Sequence, residues 1–221
     1  MSLTITSVNV NGIRAAVKQR NEDNPGMLAW LAESSADVVL LQEVRATVDE
    51  SIKALQPALD AGWHYVGAPA AARGRAGVGI LSRSPLIDVR VGLGSFLDSG
   101  RWIEGTYDGV RVASLYLPSG SAGSAKQDEK YAFLDEFGPY LEQLATEYPD
   151  MVIGGDWNIC HRREDLKNWK SNMKKSGFLA DERAFMDSVF GSFPDEAPQD
   201  KPGLGEYFGV VDYPGRTIRG A

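Results

Sequence analysis

The sequence predicts an α+β fold in which two β-sheets are covered by helices. Helix and strand patterns alternate near both ends of the chain, and a run of five consecutive strands lies between them. Such a run argues against one parallel sheet of the doubly wound type, because parallel strands need a crossover connection. No GxGxxG or GxxxxGK[ST] motif stands between a strand and a helix, so nothing indicates a nucleotide cofactor.

The first half of the chain alternates between the two kinds of element. "TITSVNV" is β-branched and alternating, which predicts a strand, and "GMLAWLAES" has helical spacing. The continuous apolar run in "VVLLQE" is typical of a strand buried on both faces. "ESIKALQPALDA" predicts a helix that Pro57 kinks or ends. Five strands then follow, separated by Gly, Pro and Asp-Gly turns: "WHYVGAP", "GVGILSR", "LIDVRVGL", "RWIEGTY" and "VRVASLYLP".

The second half contains the longest amphipathic helix pattern, "KYAFLDEFGPYLEQLATEY", with an interruption predicted near Gly138-Pro139. "MVIGGDW" predicts a strand, and "LADERAFMDSVF" predicts a helix that begins near Ala180 or Asp181. No internal repeat, low-complexity tract or long linker divides the chain, so residues 1–221 are interpreted as a single domain.

Composition narrows the class of protein. The 221 residues are 43% hydrophobic and 24% charged, as in an ordinary globular protein. No apolar run approaches the roughly 20 residues of a membrane span, and the N-terminus lacks a signal-peptide pattern. We therefore expect a cytoplasmic protein without a membrane partner. One cysteine and two histidines are too few for an internal disulfide or a Cys/His zinc site.

The net charge of −7 argues against a general polyanion binder, because non-specific nucleic-acid binding depends on basic surface. It does not exclude a local basic groove, since a sum over the chain hides patches. An excess of carboxylates also suits an enzyme whose divalent cation bridges an acidic pocket to an anionic substrate.

Polar residues follow four predicted strands, where the active sites of sheet proteins gather. Because residues two apart in an extended segment share a face, Asn9 is predicted to share one with Asn11, and Asp156 one with Asn158. Simpler interpretations also exist, such as helix caps, Asx-turns or, for Asn11-Gly12, a plain turn. The six residues are Asn9, Asn11, Glu43, Tyr116, Asp156 and Asn158.

Several sequence blocks together resemble the exodeoxyribonuclease III and apurinic/apyrimidinic endonuclease family, and they occur in the family's order. The resemblance implies a four-layer, DNase I-like sandwich of two sheets flanked by helices. It also implies Mg²⁺-dependent phosphodiester hydrolysis, with Mn²⁺ as a substitute, 5′ to an abasic site or at a 3′ end of double-stranded DNA. The blocks are "SVNVNGIRA", "VVLLQE", "AGVGILSR", "SLYLPSG" and "GGDWNICHRREDLKNWKSNMKKSGFLADERAFMD".

The resemblance implies a role for each polar residue at the strand ends. Glu43 resembles the metal-binding glutamate, and Asn11 stands where a second group lies near the metal. Asn9 resembles an amide of the hydrogen-bond network, and Tyr116 a tyrosine that contacts the scissile phosphate. Asp156 resembles the residue that activates water or protonates the leaving group. Its phosphate-positioning neighbour is Asn158.

A second set of residues is predicted to bind DNA. The protein is expected to be a monomer. Apart from Lys126, these residues lie after the first block, in "AARGRAG" and around "DLKNWKSN". Phosphate contacts from such loops position a duplex without reading its sequence. Trp169 either stacks near DNA or packs within its loop. The predicted DNA-binding residues are Arg14, Arg73, Arg75, Lys126, Asn168, Trp169 and Asn172.

The family pattern continues beyond what this sequence contains. Relatives carry an Arg-x-Asp strand and a Ser-Asp-His segment, whereas no histidine follows His161 here. We therefore expect the 221 residues to lack the family's C-terminal strands. The alternative to an active nuclease is a catalytically impaired DNA-binding homologue, because the terminal Asp-His block is absent. A phosphatase of the same scaffold would need a lipid- or inositol-reading loop that the sequence does not show.

Overall fold

Two four-stranded sheets form most of the first compact unit of the molecule. The computed structural model describes residues 2–191, and the chain divides into one unit of Met1–Pro118 with Tyr148–Trp157 and another of Ser119–Glu147 with Asn158–Ala221. In chain order the elements are β1 Ile5–Asn9, α1 Ile13–Ala16, α2 Met27–Glu33, β2 Val38–Gln42, α3 Val48–Asp60, β3 His64–Ala68, β4 Val78–Ser82, β5 Ile87–Val91, β6 Trp102–Tyr107, β7 Val110–Tyr116, α4 Ala125–Glu147, β8 Val152–Asp156, a 3₁₀ turn at Arg163–Asp165, α5 Trp169–Asn172 and α6 Ala180–Phe190.

The strand order confirms the predicted two-sheet arrangement. The first sheet has the order β1-β2-β4-β3 and the second β5-β6-β7-β8. Strands β1 and β2 are parallel, as are β7 and β8, whereas the other pairs are antiparallel. Each sheet therefore contains one parallel pair whose carboxyl ends lie at the same edge.

Strand β2 packs apolar side chains on both faces, as its continuous apolar run predicted. Val38 and Leu40 join Ile103 and Val112 in the core between the two sheets. Val39 and Leu41 belong to a second core formed with the helices of the first unit, through side chains such as Ile13, Leu31 and Leu55. The alternation follows from the period of two along a strand, and it makes β2 a rigid support for the residue that follows it.

Neither of the two helices that contain a proline ends there, so the predicted end at Pro57 and the predicted break near Gly138-Pro139 are wrong. Helix α3 continues through Pro57 to Asp60, and α4 is unbroken through Gly138-Pro139. A proline inside a helix removes one backbone hydrogen bond, but buried apolar residues on both sides of each proline offset that loss. In α3 these are Leu55 and Ala58, and in α4 Phe137 and Leu141.

The second unit contains the long helix α4 together with α5 and α6. Phe137 of α4 stacks on Phe185 of α6, with ring centroids 6.3 Å apart. Helix α6 begins at Ala180, as predicted. Among the described residues, no helix has the length and apolar character required to cross a bilayer.

Candidate active site

Four of the predicted polar residues come together in the first unit. Asn9 ends β1 and Glu43 follows β2 directly, while Tyr116 and Asp156 end the paired strands β7 and β8. Because each parallel pair presents its carboxyl ends at one edge, the two sheets bring these side chains to the same place. The cluster Asn9, Glu43, Tyr116 and Asp156 is called the strand-end cluster below.

Hydrogen bonds join the strand-end cluster across both sheets. The Asn9 amide nitrogen Nδ2 donates to Glu43 Oε1 at 2.9 Å and to Asp156 Oδ2 at 3.3 Å. The Tyr116 hydroxyl donates to the same Glu43 oxygen at 3.0 Å. The strands that carry Glu43 and Asp156 belong to different sheets, and Asn9 bridges the two carboxylates.

Glu43 is held in its ionised form. Burial opposes ionisation, but hydrogen bonds from Asn9 and Tyr116 and the positive charge of Arg45 outweigh it and lower the pKa of Glu43. Only 14% of its side chain is exposed, and Arg45 forms a short ion pair with Glu43 Oε2. A carboxylate that is charged at neutral pH and surrounded by donors can exchange one donor for a cation.

Tyr116 stays protonated over the physiological range. Burial, followed by the hydrogen bond to Glu43 and the charge of that carboxylate, raises the pKa of Tyr116 to about 12. The Arg101 guanidinium lies 5.1 Å from the centre of the Tyr116 ring. The hydroxyl is therefore a neutral donor beside a negative group.

We expect Tyr116→Phe to raise the pKa of Glu43, because one donor to the carboxylate is lost. The folded-state pKa of Glu43 lies below the ordinary 4.5, so ionised Glu43 stabilises the fold at every pH above 4.5. This stabilisation is lost as the pH falls through the lower folded-state pKa. The variant therefore loses stability in acid at a higher pH than the wild type.

The carboxyl ¹³C shift of Glu43, followed against pH, measures this pKa directly. Tyr107→Phe is the matched control, since Tyr107 lies in the core between the sheets. An unchanged Glu43 titration in Tyr116→Phe contradicts the donor role.

Close packing explains the two glycines before Asp156. A Cβ on Gly155 would overlap the carbonyl oxygen of Leu115, and one on Gly154 would lie 2.6 Å from Cδ1 of Leu40. Glycine at both positions lets β8 pair with β7 and approach the first sheet. Asp156 is thereby carried on a rigid strand end, and its carbonyl accepts from the Leu117 amide at 2.9 Å.

The predicted shared faces do not follow from extended strands, because β1 ends at Asn9 and β8 at Asp156. Asn11 and Asn158 both have left-handed backbones, with φ values of 46° and 49°. The Asn11 amide donates to Asn9 Oδ1 at 3.1 Å, and Gly12 follows with φ of 102°, which agrees with the turn interpretation. Asn158 belongs to the second unit. Metal binding by Asn11 and phosphate positioning by Asn158 stay predictions.

Three of the predicted DNA-binding residues line one pocket of about 320 Å³ in the first unit. Arg14, Arg73 and Arg75 share it with Arg45, which was not among the predicted DNA-binding residues. Arg14 pairs with Glu50 at 3.0 Å, with both side chains well exposed. We call these four side chains the arginine pocket. The sequence feature that could have indicated Arg45 as a site residue is its position two residues after Glu43.

The other predicted DNA-binding residues lie in the second unit. Asn168 and Trp169 line a surface pocket of about 380 Å³ together with Lys167, Lys170 and Ser171. The Arg163 guanidinium lies 4.4 Å from the centre of the Trp169 ring, so the side chain has a packing partner within its own loop. Asn172 donates to the Asn168 carbonyl at 2.8 Å, and Lys126 is exposed near the start of α4.

The donor set suits a hard cation that keeps most of its water. Within residues 2–191 no group of three His, Cys, Asp or Glu side chains forms a closed metal cage. Mg²⁺ is commonly bound by one or two carboxylates, with water and substrate phosphate completing its shell. The single ionised carboxylate of Glu43 fits this mode of binding.

Known proteins are similar to this chain in sequence and in fold. The chain is 29% identical over 208 residues to a DNA repair nuclease of Danio rerio, covering 89% of this chain but only 64% of the relative. It is 28% identical over 205 residues to an exodeoxyribonuclease of Bacillus subtilis, covering 87% of this chain and 77% of that protein. The chain thus spans less than two thirds of the Danio rerio protein's length.

Solved structures of nucleases and a phosphatase are also similar to this chain. An AP endonuclease from Archaeoglobus fulgidus superposes with a TM-score of 0.72 at 26% identity, covering 86% of this chain and 72% of that one. A 3′ phosphatase from Neisseria, bound to a product DNA hairpin, superposes with a TM-score of 0.72 at 28% identity, covering 84% and 69%. The sequence profile of the Endonuclease/Exonuclease/phosphatase family matches residues 6–219. The chain therefore belongs to the endonuclease/exonuclease/phosphatase family.

Proposed function

We propose that this protein is a Mg²⁺-dependent DNA-repair nuclease, with Mn²⁺ as a substitute metal. It hydrolyses phosphodiester bonds 5′ to abasic sites and at 3′ ends of duplex DNA. The observation that carries the proposal is the strand-end cluster, in which Asn9 joins the carboxylates of Glu43 and Asp156. Relatives named as a DNA repair nuclease and an exodeoxyribonuclease support it.

Each member of the strand-end cluster has a chemical task in such a reaction. Glu43, ionised and partly buried, would hold the cation together with Asn11, since Gly12, the next residue, donates its amide to the Glu43 carbonyl at 2.8 Å. A bound cation supplies positive charge that offsets the charge developing on the phosphate oxygens. Tyr116, protonated below a pKa of about 12, donates a hydrogen bond to a phosphate oxygen. Neutral donors suit this pocket because further carboxylates would repel the phosphate.

Asp156 moves the proton in this scheme. Asn9 donates to its Oδ2 and so orients the carboxylate, while the rigid end of β8 fixes its position. The carboxylate accepts a proton from the attacking water or, once protonated, donates one to the leaving oxygen. Asn158 holds the phosphate in line for this displacement.

The arginine pocket offers the chain's local basic surface for DNA, despite the net charge of −7. Guanidinium groups bind phosphates through paired hydrogen bonds. Arg14 and Arg45 each already pair with a glutamate, whereas Arg73 and Arg75 have no ion-pair partner among residues 2–191. Arg73 and Arg75 are therefore the cations with most to gain from a phosphate.

The double variant Arg73→Ala/Arg75→Ala is expected to weaken binding to any duplex and to flatten its salt dependence. Each lost phosphate contact reduces the slope of log K against log salt by about 0.9, so two contacts give about 1.8. Fluorescence anisotropy of a labelled abasic-analogue duplex, measured over a salt series without metal, provides the slope. Arg20→Ala, an exposed arginine outside the pocket, is the control. An unchanged slope contradicts the assignment.

A duplex with a single abasic analogue tests the activity itself. We expect Mg²⁺-dependent incision on the 5′ side of the analogue, seen on a denaturing gel, by the 221-residue chain or by the product of its complete reading frame. Absence of incision by both contradicts the proposal. Binding without cleavage would instead support the alternative of a catalytically impaired DNA-binding protein.

One comparison favours a second substrate for the same site. The similar Neisseria structure is named a 3′ phosphatase and holds a product DNA hairpin. Duplexes ending in a 3′-phosphate or a 3′-hydroxyl, assayed beside the abasic duplex, separate phosphatase from exonuclease activity. Lipid and inositol phosphates complete the panel, and turnover of these without DNA cleavage would favour the other phosphatases of the scaffold. We further propose that the protein acts in the cytoplasm as a single-domain monomer.

A further inference from the structure

A buried ion pair in the second unit lies against the backbone of Asn158. We infer that Lys130 and Glu182 are positioning residues that fix the conformation of Asn158. The inference rests on the proposed function, under which the Asn158 amide positions the phosphate. Neither Lys130 nor Glu182 belongs to the residues predicted to contact metal or DNA.

The contacts of Lys130 connect the pair to Asn158. Lys130 lies on α4 and Glu182 on α6, and both side chains are fully buried. Lys130 Nζ lies 2.7 Å from Glu182 Oε1 and donates to the Asn158 carbonyl oxygen at 3.0 Å. A buried ammonium with two fixed acceptors has little freedom, so it locates that carbonyl accurately.

Glu182 holds Lys130 in place because its carboxylate is saturated with donors. Apart from Lys130, it accepts hydrogen bonds from two side chains and two backbone amides at 2.7–3.2 Å. A carboxylate with this many donors adopts a single orientation. The four additional donors are Gln127 Nε2, Ser176 Oγ, the Gly177 amide and the Leu179 amide.

The same network reaches Asn158 by a second route. Glu182 binds the Gly177 amide, and the Gly177 carbonyl accepts from the Cys160 amide at 2.8 Å. A Cβ on Gly177, whose φ is +88°, would lie 3.2 Å from the Asn158 carbonyl oxygen. The segment from Asn158 to Cys160 is therefore held between α4 and the turn at Gly177, and Glu182 ties both together.

Asn158 has an uncommon backbone conformation. Its φ of 49° is left-handed, a region that few residues with a side chain adopt, although asparagine adopts it more often than most. A buried ion pair contributes little net stability compared with an apolar replacement of similar volume. Accurate placement of Asn158 accounts for the pair better than stabilisation alone.

The peptide that joins Asn158 to Ile159 provides a direct test. Its carbonyl is the acceptor of Lys130, so the Ile159 amide ¹⁵N shift reports whether that hydrogen bond is present. We expect Lys130→Met to move the Ile159 amide and the Asn158 side-chain amide signals in the ¹⁵N-labelled protein. Gln127→Leu removes another buried donor to Glu182 but leaves Lys130 in contact with Asn158, and it should leave both signals near their wild-type positions.

Unchanged Asn158 and Ile159 signals in Lys130→Met would overturn the inference, as would equal changes in the two variants. If Lys130→Met does not fold, Lys130→Gln serves instead, because it also removes the charge while keeping a polar side chain. This readout needs no enzymatic activity, so it decides the inference even if the proposed nuclease function fails.

Kinetics of abasic-duplex incision supply the functional half of the test. Misplacement by about 1 Å can cost up to about 10²-fold in rate, and we expect Lys130→Met to lower kcat by about 10-fold with a smaller change in KM. In an Asn158→Ala background the same substitution should have almost no further effect on kcat, although it still lowers thermal stability. Additive losses in kcat would mean that Lys130 does not act through Asn158.

Discussion

Glu43→Ala is expected to lower Mg²⁺-dependent incision of an abasic duplex by at least about 10²–10³-fold in kcat, the range seen when one electrostatic group of an active site is removed. Asn9, Tyr116 and Arg45 all converge on this carboxylate and keep it ionised despite its burial. The alanine variant removes the charge that attracts the cation and also leaves the donors of Asn9 and Tyr116 without their acceptor.

Single-turnover incision over a Mg²⁺ series measures this effect, and calorimetric titration with Mg²⁺ separates metal binding from chemistry. Glu33→Ala is the matched control, because Glu33 is an exposed carboxylate at the end of α2. Circular dichroism establishes that both variants fold. Wild-type incision by Glu43→Ala would exclude the strand-end cluster as the catalytic site.

Asp156→Asn is expected to lower kcat by about 10²–10⁴-fold with little change in KM, the usual range for loss of a general acid or base. The substitution keeps the size of the side chain and a carbonyl oxygen that can accept from Asn9. It removes the ability to take up and release a proton. The geometry of the strand-end cluster should therefore survive while proton transfer fails.

The pH dependence of kcat tests whether Asp156 transfers the proton. We expect the pH dependence of kcat in Asp156→Asn to differ from that of the wild type, because an amide cannot take up and release a proton as a carboxylate does. Asp150→Asn, in the exposed turn before β8, is the matched control. A residual rate with the wild-type pH profile would assign the proton transfer to another group.

Helices and strands were predictable because their signals are local. The period of two in β1, the apolar run of β2 and the helical spacing of α2 each lie within a few residues, and the structure has all three elements. The prolines of α3 and α4 do not end these helices, because the packing that offsets a lost backbone hydrogen bond comes from distant parts of the chain.

The polar residues at the strand ends were also visible in the sequence, because each follows a predictable strand. Their number and type indicated phosphodiester chemistry when they were considered together with the sequence blocks that resemble the exodeoxyribonuclease III and apurinic/apyrimidinic endonuclease family. The arginine pocket was predictable in part, since three of its four arginines lie in loops that were singled out. Arg45 was missed because its ion pair with Glu43 depends on the backbone after β2, where Glu43 and Arg45 both have φ of 52°.

The sequence by itself determined the elements of this protein, its family and the identity of the four side chains at the strand ends. Only the tertiary structure decided how those side chains meet, because residues 9, 43, 116 and 156 become neighbours through sheet pairing and packing rather than through local spacing. The bridge of Asn9 between two carboxylates of different sheets has no local signature. The burial of Lys130 and Glu182 also has no local signature, because charged residues on amphipathic helices normally face water. Only the packed neighbours of α4 and α6 enclose these two side chains.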